Sequence, residues 1–159
     1  MRLAKCLSET RRVNFVTHLE CADCAKRYPA GQPHNLCTDC HRPLWVCYDL
    51  DRVREQYPRE SLAGRPSDLW RYRELLPYAD AANVVSLGET ATPILSASRL
   101  GSELGMAHLQ IKDESRLPTG SFKARGMAMA ITMANELGIR RVACPTAGNA
   151  GGAMAAYAS

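Results

Sequence analysis

Lys112-Asp113-Glu114-Ser115-Arg116-Leu117-Pro118-Thr119-Gly120-Ser121-Phe122-Lys123-Ala124-Arg125-Gly126 reads as the end of a strand, a Pro/Gly turn and the start of a helix. The strand is expected over His108–Lys112 and the helix over Ser121–Leu137, with Gly138 in the C-cap position. Ser121 is the expected N-cap and Lys123 the second helical residue. An ammonium there faces the positive end of the helix dipole, which disfavours its charge, and partial burial acts in the same direction. A lysine that gives up its proton readily is a nucleophile toward carbonyls. Phe122 beside it offers an apolar wall for a flat ring. Taken alone, the pattern is equally that of a surface lysine in a first turn. The helix that follows carries Met127, Met129, Ile131, Met133 and Leu137 and reads as apolar nearly all round, its methionines filling core.

Downstream, Arg141-Val142-Ala143-Cys144-Pro145-Thr146-Ala147-Gly148-Asn149-Ala150-Gly151-Gly152 repeats the logic. A strand over Arg141–Cys144 runs into a turn of small residues and a helix with Asn149 at its start. Backbone N–H groups at such a helix start bind anions, a substrate carboxylate among them. The turn also lies at the carboxyl end of a strand, where layered α/β folds hold ligands. A helix merely capped by asparagine gives the same pattern. Upstream, Thr92–Leu95 reads as extended and Ala97–Leu104 as a helix closed by Gly105. This alternation predicts an α/β fold with a parallel sheet over residues 83–159. The helical run from Ala150 continues to Ser159 without a cap or a returning strand, so the chain is expected to be a fragment of a larger domain.

A different texture precedes it. Cys21-x-x-Cys24, twelve residues, then Cys37-x-x-Cys40 lie among turn residues and short apolar runs such as Leu44-Trp45-Val46. Each C-x-x-C turns tightly enough to place two sulfurs about 2.3 Å from one zinc, and two such knuckles close a tetrahedron with no open position. The expectation is a structural Zn2+ on Cys21, Cys24, Cys37 and Cys40, whose binding energy replaces a core the segment lacks. Cys6, Cys47 and Cys144 have no partner at motif spacing and read as small hydrophobes; His18, His34 and His41 read as surface residues. The chain thus divides into a zinc-ribbon segment (1–50), a charged linker wrapped on a larger body (51–82), with Ser67 or Asp68 capping a short helix through Leu76, and an incomplete α/β domain (83–159).

Composition narrows the function classes. At 159 residues, 46% hydrophobic and 23% charged, the chain is of ordinary globular composition. The net charge of +4 is spread over separate pairs such as Lys26-Arg27 and Arg140-Arg141, and four thiolates on zinc would lower it by about 2. No basic stripe points to nucleic acid. Seven cysteines is an odd number, no secretory leader is read at the start, and no run reaches the roughly 20 apolar residues of a membrane span. A cytoplasmic location, with no membrane and no nucleic-acid partner, is expected.

Ser121-Phe122-Lys123-Ala124-Arg125-Gly126 after Pro118-Thr119-Gly120, followed by Thr146-Ala147-Gly148-Asn149-Ala150-Gly151, resembles the paired signatures of fold-type-II pyridoxal-phosphate enzymes. That family has the tryptophan-synthase-β-like architecture and includes threonine synthase, threonine dehydratase and cysteine synthase. The ribbon, Tyr48-Asp49-Leu50 and Lys112-Asp113-Glu114 are most similar to its threonine synthase branch. The resemblance covers about residues 15–159. It implies pyridoxal 5'-phosphate as cofactor, carried by Lys123. It further implies Asn149 bonding the cofactor's phenolic oxygen, Phe122 packing near its ring, and Thr146, Ala147 and Gly148 holding the substrate carboxylate. Ala147 departs from the serine or glycine common in that turn and removes a hydroxyl contact. The family's glycine-rich phosphate loop and the residue facing the pyridine nitrogen are expected beyond Ser159. The implied reaction is conversion of O-phospho-L-homoserine and water to L-threonine and phosphate, in a full-length homodimer, with this chain inactive alone. The alternatives are a threonine/serine dehydratase-like or cysteate-synthase-like lyase and, from another class, a zinc-ribbon interaction module.

Overall fold

The computed structural model describes residues 14–159; residues 1–13, with Cys6 and the Arg11-Arg12 pair, lie outside the described residues. The first body is a three-stranded antiparallel sheet in the order β2-β1-β3, with β1 at Val16–Cys21, β2 at Arg27–Tyr28 and β3 at Leu44–Tyr48. Its interior is small. Cys21, Tyr28 and Cys37 are buried, and Leu19, Cys40 and Leu44 pack against them. All six described cysteines are free, in line with a chain that builds no disulfide framework.

The stretch read as a linker holds more structure than its charge pattern suggested. Helix α1 (Leu50–Gln56) starts where the Asp49 carboxylate accepts from the Arg52 N–H at 3.0 Å. The short helix expected up to Leu76 is a 3-10 helix over Leu69–Leu75, and Asp68 precedes it without a side-chain cap bond. Buried Glu74 takes a forked pair of bonds from Arg65 at 2.8 and 2.9 Å, an arrangement matched to the planar guanidinium. Asn14 donates to the Pro77 and Tyr78 carbonyls and so ties the start of the sheet to the end of this stretch.

The second body begins with β4 (Ile94–Ser96) and β5 (Gln110–Lys112), joined through helix α2 (Ser98–Glu103) and paired antiparallel with Ile94 opposite Lys112. The parallel sheet expected here is therefore absent among the described residues. Arg141–Cys144, read as a strand, belongs to no strand: a ladder needs a neighbour, and no described strand runs beside it. Helices α3 (Lys123–Glu136) and α4 (Asn149–Ala158) pack on each other. α3 buries Ala124, Ala128, Thr132 and Ala134, while Gly126 and Ala130 are exposed, so it is not buried all round as its apolar composition suggested. Leu117 and Tyr157 complete this core, with Trp70, Val85 and Ile131 at its margin. α3 ends in a Schellman motif: Gly138 N–H bonds Asn135 C=O at 3.1 Å and Ile139 N–H bonds Ala134 C=O at 2.8 Å, with Gly138 at φ 69°. No helix among the described residues is long and apolar enough to cross a membrane.

Candidate functional site

Lys123 is the first residue of α3, one position earlier in the helix than expected, because Phe122 already has helical angles and occupies the cap position. The Ser121 hydroxyl makes no cap bond; it is buried and without a hydrogen-bond partner among the described residues, as is the Thr119 hydroxyl. Buried hydroxyls are nearly always bonded. Two orphans within four residues of Lys123 therefore mark a place built for a polar group. The Lys123 ammonium lies 4.5 Å from the centroid of the Phe122 ring, which is itself 60% exposed. A half-buried amine, an open aromatic face and unpartnered hydroxyls fit a flat, phosphorylated aldehyde. Lys123, Phe122, Ser121 and Thr119 are the residues that would meet it.

The turn before Lys123 is held by an ion pair that sequence inspection did not single out. Glu114 receives the Arg125 guanidinium at 2.8 and 3.2 Å and the Thr92 hydroxyl, while Lys112 stands 3.8 Å away. Arg125 foremost, then Thr92, draws the Glu114 carboxyl down from its ordinary 4.5 to about 2. Both residues lie inside the quoted motifs, so the signal was a carboxylate and a guanidinium flanking one turn. A second bracket comes from fully buried Glu89, which accepts from Tyr157 on α4, from Trp70 Nε1 at 3.2 Å and from Ser86 Oγ at 2.6 Å. Burial alone would raise the Glu89 carboxyl, but the Ser86 and Tyr157 hydroxyls, with the Leu87 backbone N–H, outweigh it and hold it below its usual range. Burial, then the Glu89 charge, pushes the Tyr157 hydroxyl well above its own. Tyr157 and Trp70 lie far along the chain from Glu89, beyond the reach of any local motif.

Asn149 opens α4 as its first residue, with Gly148 in the cap position at φ 137°. The Thr146 hydroxyl accepts from the N–H groups of Gly148 and Gly151, both at 2.9 Å, folding the turn back on itself. A Cβ at Gly151 would sit 2.7 Å from Thr146 Cγ2, so glycine is what allows that approach. Thr146, Ala147, Gly148 and Asn149 are all exposed, open to a ligand. The structure thus puts Lys123 and Asn149 each at the head of a helix and packs those helices together.

The four expected metal ligands converge. Sγ–Sγ separations are 3.3 Å for Cys21–Cys40, 3.5 Å for Cys24–Cys37 and 3.6 Å for Cys24–Cys40. Sulfurs about 2.3 Å from one zinc in a tetrahedron stand about 3.8 Å apart, so the cluster needs only slight expansion. The two knuckles are built alike. Cys21 N–H bonds Lys26 C=O and Cys37 N–H bonds Arg42 C=O, each at 2.9 Å, and Ala25 and His41 take the same left-handed turn at φ 58° and 56°. The Asp23 and Asp39 N–H groups point at Cys21 and Cys37 sulfur, and the Tyr28 hydroxyl donates to Cys37 at 3.2 Å. The Tyr28 bond above all pulls the Cys37 thiol down to about 6, whereas Cys40, facing Cys21, is pushed up to about 12. Donors aimed at sulfur favour thiolate, the form a metal takes.

Residues 85–159 match the family described as pyridoxal-phosphate dependent enzyme. Among curated proteins, the threonine synthase of Methanocaldococcus jannaschii is 39% identical over 139 residues, 87% of this chain and 34% of that protein. The threonine synthase of Methanosarcina acetivorans is 36% identical over 140 residues, 88% of this chain and 34% of its own length. That of Mycobacterium tuberculosis is 42% identical over 94 residues, 59% of this chain and 26% of its own. The chain therefore spans about a third of the length of the first two relatives. No solved structure gives a significant match. Residues 85–159 are thus similar to pyridoxal-phosphate dependent enzymes, and over most of its length the chain is similar to threonine synthases.

Proposed function

We propose that the protein carrying this sequence is a threonine synthase, converting O-phospho-L-homoserine and water to L-threonine and phosphate, with pyridoxal phosphate on Lys123. The observation that carries this reading is Lys123 at the head of α3, beside an open aromatic ring and two buried hydroxyls without partners. Similarity to threonine synthases over 87% of the chain supports the substrate.

When bound, the cofactor supplies an electron sink for carbanions beside the substrate nitrogen. The chain's own residues supply position and proton transfer. Lys123 would hold the cofactor through its amine and would move protons at the substrate's α and β carbons. Phe122 would pack against the cofactor ring, and Asn149 would donate to its phenolic oxygen. The Thr146–Gly148 turn receives the substrate carboxylate at the start of α4. The Glu114–Arg125 pair, anchored to Thr92, keeps the turn before Lys123 from swinging away. Within the segment 1–50, the described residues from 14 onward form a structural zinc ribbon on Cys21, Cys24, Cys37 and Cys40, residues 51–82 wrap the body, and residues 83–159 carry the catalytic segment of a cytoplasmic homodimer.

Borohydride reduction of the protein loaded with pyridoxal phosphate should leave the cofactor's mass on the tryptic peptide containing Lys123, and Lys123→Ala should abolish the label. A label elsewhere, or one that survives the substitution, overturns the site. With O-phosphohomoserine, phosphate and threonine should form in equal amounts; ammonia without threonine would reassign the protein to the dehydratases.

A further inference from the structure

The face of β1 turned away from the four-cysteine cluster carries a second group of metal-binding atoms. We infer that His18, Glu20 and Cys47 form a separate site for a divalent transition metal of the zinc class. His18 and Cys47 are direct cross-strand partners between β1 and β3, and Glu20 lies two residues along β1 on the same face. One ligand atom from each lies within 4.8 Å of the others, while donors about 2.0–2.3 Å from one ion stand at most about 4.6 Å apart. Leu19 and Cys21 alternate to the opposite face and pack with the knuckles, so the two groups are distinct. His18 is half-buried, not the surface residue its position suggested, and Cys47 faces an imidazole and a carboxylate, not an apolar core.

The contacts around His18 suit a metal ligand. The Thr17 hydroxyl, which donates to the Cys47 carbonyl at 3.2 Å, also meets His18 Nδ1 at 2.8 Å. That contact orients the ring and sets Nε2 3.3 Å from Glu20 Oε2. A second partner on Nδ1 is the usual support of a metal-ligating histidine. Arg27 also approaches Glu20 Oε2, at 3.1 Å, but its side chain is exposed and such surface pairs are weak, so a metal can displace it. An imidazole, a thiolate and one carboxylate select zinc-class ions over calcium or magnesium. Binding displaces the Cys47 thiol proton to solvent and leaves a fourth position to water.

Titration of the reduced, chelator-stripped protein with Co2+ near neutral pH tests this. The protein should take up one equivalent more than its Cys47→Ser or Glu20→Gln variants. The difference, not the total, is the readout, so it holds whatever the four-cysteine cluster and Lys123 bind. Equal counts overturn the site and leave a His18–Glu20 ion pair. Because a variant in β1 or β3 can unfold the sheet, the unsubstituted protein supplies a second measurement. Excess Zn2+ should slow alkylation of Cys47, read by mass spectrometry, roughly tenfold or more, since a metal-bound thiolate is a poor nucleophile. An unchanged rate overturns the proposal.

Discussion

The two bodies solve the same backbone problem with different residues. In the helical body every left-handed position is glycine: Gly88, Gly105, Gly120, Gly138 and Gly148 all have positive φ. In the ribbon the same conformation falls on Ala25 and His41, one after each cysteine pair. A side chain in that region costs about 1–2 kcal/mol and persists only where the surroundings over-determine it. The helical body has no such surplus, because its order rests on a stripe of alanines and on carboxylates satisfied one bond at a time. The ribbon's surplus is sulfur. Its buried set, Cys21, Tyr28 and Cys37, is too small to hold three strands, but a metal on four thiolates contributes about 10–16 kcal/mol.

The largest effect expected from that contrast is loss of the ribbon on chelation. Amide exchange followed by mass spectrometry should show residues 16–48 losing nearly all protection with a strong zinc chelator, while 123–136 keep theirs. Loss of protection in both together would break the comparison. The bonds from Asn14 to Pro77 and Tyr78 would then be part of one cooperative unit and not a hinge between two. Cys37→Ser should mimic the chelator, since Cys37 is fully buried and receives the Tyr28 hydroxyl.

A smaller effect, confined to the other body, is expected from Tyr157→Phe. The substitution removes one of the donors to buried Glu89 and adds nothing in its place. Hydrogen bonds to a charged group contribute about 1.5–3 kcal/mol, and the loss should appear as a lower denaturation midpoint for the helical body alone. If chelator sensitivity of residues 16–48 rises as well, the bodies are not independent.

What could be read from sequence follows the same division. The ribbon was legible because its constraint is local: two sulfurs on one metal require a C-x-x-C turn, and the spacing states it outright. α3 and α4 were legible from Gly138, Asn149 and their apolar content. The parallel sheet was not, because strand pairing depends on a neighbour that Arg141–Cys144 does not have among the described residues. Ser121 read as a cap, yet its hydroxyl is free of the backbone and Phe122 holds the position, since the cap is set by backbone angles and not by residue type alone. The Glu89–Tyr157 pair was invisible for a third reason: it links elements that only the fold brings together. α3 and α4 do begin inside the quoted lysine and asparagine stretches, but the bond to Glu89 that braces α4 was not readable there.

The smallest effect is the sharpest test of the contrast. Ala25→Gly removes a Cβ from a backbone held at φ 58° and should relieve about 1–2 kcal/mol of strain. Glycine also widens the unfolded ensemble, which returns about 0.4–1 kcal/mol, so the net gain is about 0–1.6 kcal/mol. If the metal over-determines the turn, that gain should appear as slower zinc loss to a competing chelator, with the amide exchange of residues 123–136 unmoved. The same exchange in the helical body, Gly138→Ala, should run the other way by a similar amount, because the Schellman turn has no ion to hold a side chain at φ 69°. Equal losses from both substitutions would mean that Ala25 is not strained, and that the ribbon's backbone obeys the same economy as the helices.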